Sequence, residues 1–136
     1  MLARDTWLGP LDKVWSRVDT TEFGDRLRLG TYRDDPEVHF GLEGKEGEPV
    51  EWTGVPERLV SRLTSLGEAY ELRQVTMIDI YGDTIFKSKQ CESLCAELHF
   101  LNQIADDPAL ATVVETLTAL IKAALASSRR LVVSGN

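Results

Sequence analysis

The sequence predicts an α+β fold, with an antiparallel or mixed sheet of four or five strands and an αα-hairpin packed on one face. Residues 38–42 alternate apolar and polar side chains, as a strand with one buried face does. Residues 75–81 form a nearly continuous apolar run, which is typical of a strand covered on both faces. Residues 110–125 repeat apolar side chains at helical spacing, which predicts a long amphipathic helix.

The length, composition and charge of the chain indicate what kind of protein it is and what kind of partner it has. A chain of 136 residues, 43% apolar and 27% charged, has the size and composition of a single globular domain, so we expect one domain over residues 1–136. The 22 acidic and 15 basic residues give a net charge of −7, which repels nucleic acid and anionic membrane surfaces. The same charge attracts a cationic partner, so we expect a protein partner and neither nucleic acid nor membrane.

The beginning of the sequence and its cysteines indicate the compartment. Residues 1–7 contain no apolar run of signal-peptide length, and no window approaches the roughly 20 apolar residues that span a bilayer. Cys91 and Cys95 are too few for the disulfide framework of a small secreted domain. These features predict a cytoplasmic protein.

The first half of the chain predicts a helix followed by a β-hairpin. Residues 9–18 have apolar side chains at helical spacing, with Trp15 on the apolar face. Residues 26–32 and 38–42 both alternate polar and apolar side chains around a turn at residues 33–37, which predicts two paired strands. His39 falls on the polar face of the second strand and should lie at or near the surface.

Residues 43–54 are rich in Gly and Glu, which predicts a loop or a frayed edge strand. The segment combines carboxylates with Trp52, an aromatic side chain that could anchor in a pocket of a partner. The alternative is a solubilising turn in which Trp52 folds back on the core.

A helix is predicted from about Pro56, with Leu59 and Leu63 on its apolar face and Gly67 as its left-handed stop. Arg58 and Arg62 lie four residues apart on its polar face. Two arginines at this spacing could hold a carboxylate or a phosphate, and pairing with acidic residues of the chain itself is the simpler account.

The apolar run at residues 75–81 predicts a strand in the middle of the sheet, ending at a turn around Gly82. Asp79, Tyr81 and Asp83 alternate along it and could aim two carboxylates and a phenol at one point. Such a trio could perform acid–base chemistry or hold a divalent cation. Our expectation is that these residues serve the turn, with catalysis or metal binding as the alternative.

The second half predicts two helices and a final strand. Ser88 is the expected N-cap of the first helix, whose apolar stripe includes Cys91 and Cys95. The two cysteines are expected to pack in the core, because His99 lies too far round the helix to complete a metal site with them. Asp107 and Pro108 begin the second helix, and residues 130–134 predict the last strand.

No phosphate-binding loop, G-x-S-x-G, H-E-x-x-H or C-x-x-C motif is present, so no catalytic residue, metal ligand or cofactor is predicted. Residues 79–86, Asp-Ile-Tyr-Gly-Asp-Thr-Ile-Phe, are followed by Gln90 and a leucine-rich helix. At this corner the sequence resembles small uncharacterised bacterial proteins. In size, acidity and α+β make-up it also resembles the small acidic immunity proteins of polymorphic and contact-dependent toxin systems. The resemblance implies binding and neutralisation of a cognate toxin.

The expected function is therefore that of a non-enzymatic binding protein that covers the active site of a toxin, its partner being a cationic toxin domain. The residues expected to contact the partner are Asp34, Asp35, Glu43, Glu46, Glu48, Glu51 and Trp52. Two alternatives remain: a small enzyme or metal-binding domain that uses Asp79, Tyr81 and Asp83, and a structural subunit of a homo-oligomer or larger assembly.

Overall fold

The computed structural model of this protein describes residues 29–135. Within them, four strands form one antiparallel sheet in the order β2–β1–β4–β3. The strands are β1 (Glu37–Glu43), β2 (Pro49–Pro56), β3 (Asp83–Phe86) and β4 (Leu131–Ser134). The α-helices of the same residues are α1 (Glu57–Ala69), α2 (Ser88–Ala105) and α3 (Pro108–Ala126). The α+β class predicted from the sequence is confirmed.

The core lies between one face of the sheet and the helices. Val38, Phe40 and Leu42 of β1 are at most 2% exposed, and His39 projects from the opposite face and is half-buried. This alternation follows the period of two in a strand and confirms the predicted face of β1. From the centre of the sheet, β4 contributes Leu131 and Val133 to the same core.

Helices α2 and α3 form the predicted αα-hairpin. The buried stripe of α2 consists of Cys91, Leu94, Leu98 and Leu101, with Cys95 at its edge. At the start of α3, the Asp107 carboxylate accepts hydrogen bonds from the N–H groups of Ala109 (3.0 Å) and Leu110 (3.3 Å), so Asp107 is the N-cap as predicted. Pro108 follows at the first helical position.

Contrary to the expectation that no segment approaches the apolar length that spans a bilayer, helix α3 is long and apolar enough to do so by length and composition alone; 44% of its apolar window is buried inside the fold. Its buried face consists of Ala109, Leu110, Val113, Val114, Leu117, Thr118, Ile121 and Ala124. The exposed face carries Glu115 and Lys122. Helix α3 is apolar because its buried face forms part of the core.

The predicted central strand at residues 75–81 is not a strand. Val75–Met77 forms a short 3₁₀ helix, and the chain then continues irregularly to β3, which starts at Asp83 and lies at an edge of the sheet. The apolar run is nevertheless buried through Val75 and Ile78. The Glu97 side chain of α2 satisfies the N–H groups of Gln74 and Val75, so the segment needs no neighbouring strand. An apolar run in the sequence shows that the segment is buried, but it does not show whether the segment is a strand or a 3₁₀ helix followed by irregular chain.

The predicted hairpin partner of β1 is also wrong. Residues 26–28 lie outside the described part of the chain, and Leu29–Tyr32 forms a 3₁₀ helix with Tyr32 buried. The strand that pairs with β1 in a hairpin is β2, through the turn at residues 44–48. Residues 43–54 therefore contain most of an edge strand, the second of the two predicted possibilities. The helix predicted at residues 9–18 lies outside the described residues.

Two helix boundaries differ from the prediction. Gly67 lies inside α1, which ends at Ala69, and a Cβ at Gly67 would lie 2.8 Å from Cγ1 of Val75. The glycine therefore permits close packing of α1 on the Val75–Met77 turn instead of a left-handed stop. At α2, Ser88 is the first helical residue and Lys87 is the cap position, its N–H donating to Oε1 of Gln90 at 2.9 Å.

Candidate functional site

The residues predicted to contact a partner lie at two ends of the β1–β2 hairpin. Asp34 and Asp35 precede β1, whereas the other predicted residues surround the opposite end of that strand or lie on β2. The seven residues of β1 separate the two groups by about 20 Å, at roughly 3.3 Å per residue. The structure therefore does not bring all seven residues together at one point.

Two of the predicted carboxylates are engaged in ion pairs with arginines of the same chain. Asp35 accepts hydrogen bonds from Nε (2.8 Å) and Nη2 (2.7 Å) of Arg58. Glu43 forms a bidentate pair with Arg130, which precedes β4. The hydrogen bonds from these arginines lower the pKa of both carboxyl groups. Their charges are compensated, which weakens their attraction for a partner.

A third carboxylate, Glu48, stabilises the hairpin turn by accepting a hydrogen bond from the N–H of Glu46 at 2.9 Å. The side chains of Asp34, Glu46 and Glu51 are exposed and form no ion pair with another residue in the range 29–135. With Glu48, whose hydrogen bond from a backbone N–H leaves its charge uncompensated, these are the carboxylates of the predicted set that form no ion pair among the described residues.

The two arginines of α1 also pair within the chain, as expected. Besides the Arg58–Asp35 pair, Nη1 of Arg62 lies 2.6 Å from Oδ2 of Asp107. Both guanidinium groups lie over the ring of Tyr32, at 4.8 Å for Arg58 and 5.5 Å for Arg62. They therefore join the segment before β1 to the helices.

A β-bulge shapes the exposed end of the hairpin. Phe40 pairs with Thr53 and Leu42 with Val50, so Gly41 alone faces two residues of β2, Glu51 and Trp52. Glu51 takes a left-handed backbone conformation (φ 50°), which is uncommon for a residue with a side chain. A Cβ at Gly41 would lie 2.9 Å from Cβ of Pro49 and 3.1 Å from Cβ of Trp52. The bulge therefore depends on a glycine at position 41.

The bulge presents Trp52 on the face of the sheet that is turned away from the core. Its side chain is 57% exposed, and the ring of His39 contacts it edge-on, with 4.5 Å between the ring centroids. A shallow depression of about 250 Å³ lies between His39, Pro49, Trp52 and Ser134. We call His39, Pro49, Glu51, Trp52 and Ser134 the Trp52 surface. Trp52 does not fold back on the core.

Two residues of this site, His39 and Gly41, were not predicted from the sequence. The signal for Gly41 is its position inside a strand pattern, since a glycine there often marks a bulge or a close approach of another backbone. For His39, the alternation predicted exposure but did not show that Trp52 would be its neighbour. That contact depends on the register of β2, which the bulge shifts.

Comparison with known proteins finds no match to this chain. No family model fits it, and no curated protein or solved structure is similar to it.

The Asp79–Tyr81–Asp83 constellation forms a turn. Oδ1 of Asp79 accepts a hydrogen bond from the backbone N–H of Tyr81 at 2.9 Å, and the N–H of Gly82 approaches the Asp79 carbonyl at 3.4 Å. The Tyr81 side chain is 71% exposed and points its phenol into solvent. This is the turn-forming role that the sequence predicted for these residues.

The cysteines pack in or beside the core. Cys91 is fully buried and its Sγ lies 3.5 Å from the carbonyl oxygen of Phe86, to which it donates. Burial raises the pKa of this thiol, which keeps it protonated. Within residues 29–135, no three His, Cys, Asp or Glu side chains are grouped so that they could hold a metal ion.

Proposed function

We propose that this chain is a non-enzymatic binding protein, and specifically an immunity protein that neutralises a cognate bacterial toxin by covering its active site. The observation that carries the proposal is the exposed Trp52 at the bulge of edge strand β2, in contact with His39. Tryptophan is among the side chains that most often dominate the affinity of protein interfaces.

The support around Trp52 favours tight binding. The ring of His39 makes a T-shaped contact with the indole, and Pro49 lines the same depression as Trp52. An indole that is already held in place loses little conformational entropy when a partner covers it. Bulges are frequent where a strand must aim a side chain at a partner or substrate.

The charge of the chain supports a cationic partner. Residues 29–135 contain 17 acidic and 10 basic residues, so they carry the whole net charge of −7. Such a field accelerates encounter with a positively charged toxin domain before specific contacts form. Of the seven predicted contact residues, Trp52 and Glu51 stand at the centre of the proposed interface. Asp35 and Glu43, which are paired with arginines, contribute less.

The first test is alanine substitution of the tryptophan. The candidate partner is the product encoded beside this protein, produced as a catalytically inactive variant. Trp52→Ala should raise Kd by roughly thirtyfold, which corresponds to about 2 kcal/mol. Calorimetry measures the affinity, and survival of cells that express the active toxin measures neutralisation.

The matched control is Tyr81→Ala, which removes a 71% exposed aromatic side chain near the opposite edge of the sheet. It should leave Kd and protection unchanged. A partner that binds wild type and Trp52→Ala equally would place the interface elsewhere, and a neighbouring product that does not bind or is not toxic would remove the immunity role.

The second test concerns association rate. The double variant Glu46→Lys/Glu51→Lys reverses two exposed carboxylates that have no ion pair among the described residues. It should slow association by about tenfold at low salt and flatten its dependence on salt concentration. Glu68→Lys/Glu92→Lys, which makes the same charge change on exposed helix positions, is the control. Equal association rates for the two double variants would show that association depends on the net charge of the molecule and not on the position of these carboxylates.

A further inference from the structure

Strand β3 forms the second edge of the sheet, and it differs from edge strand β2. Strand β2 is bounded by Pro49 and Pro56 and interrupted by the bulge, and both features hinder pairing with a further strand. Strand β3 contains no proline and pairs with β4 in a regular register over its four residues. Its outer side is therefore the better suited of the two edges to accept another strand.

The backbone of Asp83 and Ile85 points its hydrogen-bonding groups away from the sheet. The N–H of Gly135 donates to the carbonyl of Gly82 at 2.7 Å, so these two glycines form a hydrogen-bonded pair at the end of the β3–β4 ladder. Because such pairs alternate in an antiparallel ladder, the residues two and four positions after Gly82 bond to β4, and Asp83 and Ile85 face outward. Within residues 29–135, no hydrogen bond engages the N–H or the carbonyl of Asp83 or Ile85.

Large apolar and aromatic side chains are exposed at this edge. Ile85 is 42% exposed, and Met77 and Tyr81 are also exposed. Met77 lies beside the strand, because its carbonyl accepts a hydrogen bond from the Thr84 hydroxyl at 3.3 Å. Methionine and tyrosine are enriched in protein interfaces, and a group of exposed apolar side chains often marks one. The edge therefore has the composition of a contact surface.

The exposed side chains of β3 are complementary to a second copy of the same strand. Asp83 and Ile85 lie on one face, and Lys87, which has an extended backbone (φ −78°, ψ 170°), continues that face. When two such strands pair antiparallel with Ile85 opposite Ile85, each Asp83 lies opposite the Lys87 of the other copy. Neither Asp83 nor Lys87 forms an ion pair with another residue of the described range. Their charges are therefore available to each other across such a contact.

We propose that β3 is the contact strand of a symmetric dimer of this chain, in which the two Ile85 residues face each other across the twofold axis and two Asp83–Lys87 pairs flank them. The outward N–H and carbonyl of each Ile85 supply two backbone hydrogen bonds between the copies. The ladder ends at Lys87, because its N–H donates to Oε1 of Gln90 (2.9 Å) and its carbonyl accepts from the N–H of Cys91 (2.8 Å).

The dimer joins the two sheets into one and leaves the Trp52 surface free, because Trp52 lies on β2 at the opposite edge. It is thus independent of the proposed immunity role. A contact through one four-residue strand is small, and the charge of −7 on each copy opposes association. We therefore expect a weak dimer with Kd of about 0.1 mM.

The oligomeric state of the chain in solution tests the proposal. On dilution from about 1 mM to about 20 μM, the NMR amide signals of Asp83 and Ile85 should shift and translational diffusion should become faster. Ile85→Lys should raise the dimer Kd at least about tenfold, because two lysines would face each other. Ile104→Lys, at a similarly exposed isoleucine (39%) near the far end of α2, is the control and should dimerise as wild type does. A monomer at about 1 mM, or equal loss in the two variants, would overturn the proposal.

Exchange of the two charges tests the register. Asp83→Lys and Lys87→Asp each place like charges opposite one another and should raise the dimer Kd by about threefold to tenfold. The double variant Asp83→Lys/Lys87→Asp recovers both the pairing and the net charge, so it should dimerise as wild type does. Circular dichroism and urea titration confirm that the variants fold. A double variant as weak as the single ones, or a dimer strengthened by Asp83→Lys and weakened by Lys87→Asp as net charge alone dictates, would contradict the proposed pairing.

Discussion

At the scale of single residues, the fold depends on polar groups that each satisfy more than one partner. Arg62 bonds to the Asp107 carboxylate (2.6 Å) and to the Tyr32 hydroxyl (2.5 Å), and the same carboxylate caps α3. One guanidinium group thus connects α1, the start of α3 and the 3₁₀ helix before β1. The planar guanidinium group presents five N–H donors in a fixed arrangement, which suits simultaneous contacts with a carboxylate and a hydroxyl.

Gly41 is the residue on which the Trp52 surface depends. A methyl group there would lie 2.9 Å from both Cβ of Pro49 and the carbonyl oxygen of Val50. We therefore expect Gly41→Ala to reduce the free energy of unfolding by about 1–3 kcal/mol, because β2 must move away from β1. Urea titration measures the loss, and NMR of the indole N–H of Trp52 measures the displacement.

The control for this substitution is Gly30→Ala, because an added Cβ at Gly30 has no neighbour within 4 Å. It should leave the stability within about 0.5 kcal/mol of wild type. Similar losses for the two variants would mean that the close contact at the bulge is not responsible.

At the scale of elements, the segment that joins α1 to β3 is held by a side chain of α2. The carboxylate of Glu97 accepts hydrogen bonds from the N–H groups of Gln74 (3.0 and 3.1 Å) and Val75 (2.8 Å). Gly67 lets the Val75–Met77 turn pack closely on α1. An apolar stretch can therefore be buried without forming a strand, because a neighbouring helix supplies the acceptors that a strand would have supplied.

We expect Glu97→Ala to lower the free energy of unfolding by about 1–3 kcal/mol, since it leaves two backbone donors without their acceptor. Hydrogen exchange at Gln74 and Val75 should accelerate more than exchange in α3. Glu92→Ala, on an exposed position of the same helix, is the control and should change little. Unchanged exchange at Val75 would contradict the role of Glu97.

At the scale of the whole molecule, two ion pairs connect parts of the chain that are distant in sequence. Asp35 pairs with Arg58 across 23 residues, and Glu43 pairs with Arg130 across 87 residues. The second pair lies beside the contact of β1 with β4, the strand that completes the centre of the sheet. The β1–β2 hairpin is thereby tied to both α1 and the last strand.

These pairs predict a pH dependence of stability. Pairing lowers the pKa of Asp35 and Glu43 in the folded state from their ordinary values of 3.8 and 4.5. Their contribution is fully present above those ordinary values and is lost as the pH falls through the lower folded-state values. The urea midpoint should therefore decrease below about pH 4.5.

Asp35→Asn/Glu43→Gln should show a smaller decrease over the same acidic range, because it lacks the two titrating groups. Because both pairs are exposed to solvent, the difference should be modest and should shrink at high salt. Parallel decreases for wild type and variant would assign the acid sensitivity to other carboxylates.

The parts of the fold that follow from local periodicity were predictable. The spacing of apolar residues and the Asp107–Pro108 boundary identified α2 and α3 as a hairpin, and alternation identified the buried face of β1. Of the two alternatives that the sequence left open for Trp52, the structure shows the exposed side chain. The helices and the buried face of β1 depend on residues that are close in sequence, so the spacing of apolar and polar residues is enough to predict them.

What depended on contacts between distant residues was not predictable. Strand β4 joins the centre of the sheet, and residues 75–81 do not form a strand. The sequence predicted that Arg58 pairs within the chain, but it did not show that Asp35 is its partner or that Arg130 pairs with Glu43. The one-residue bulge at Gly41 sets the register that brings His39 to Trp52. Which strands pair and which ion pairs form depends on which segments meet in the folded chain. The periods of two and 3.6 residues show which side chains share a face, but they do not show which segments lie side by side.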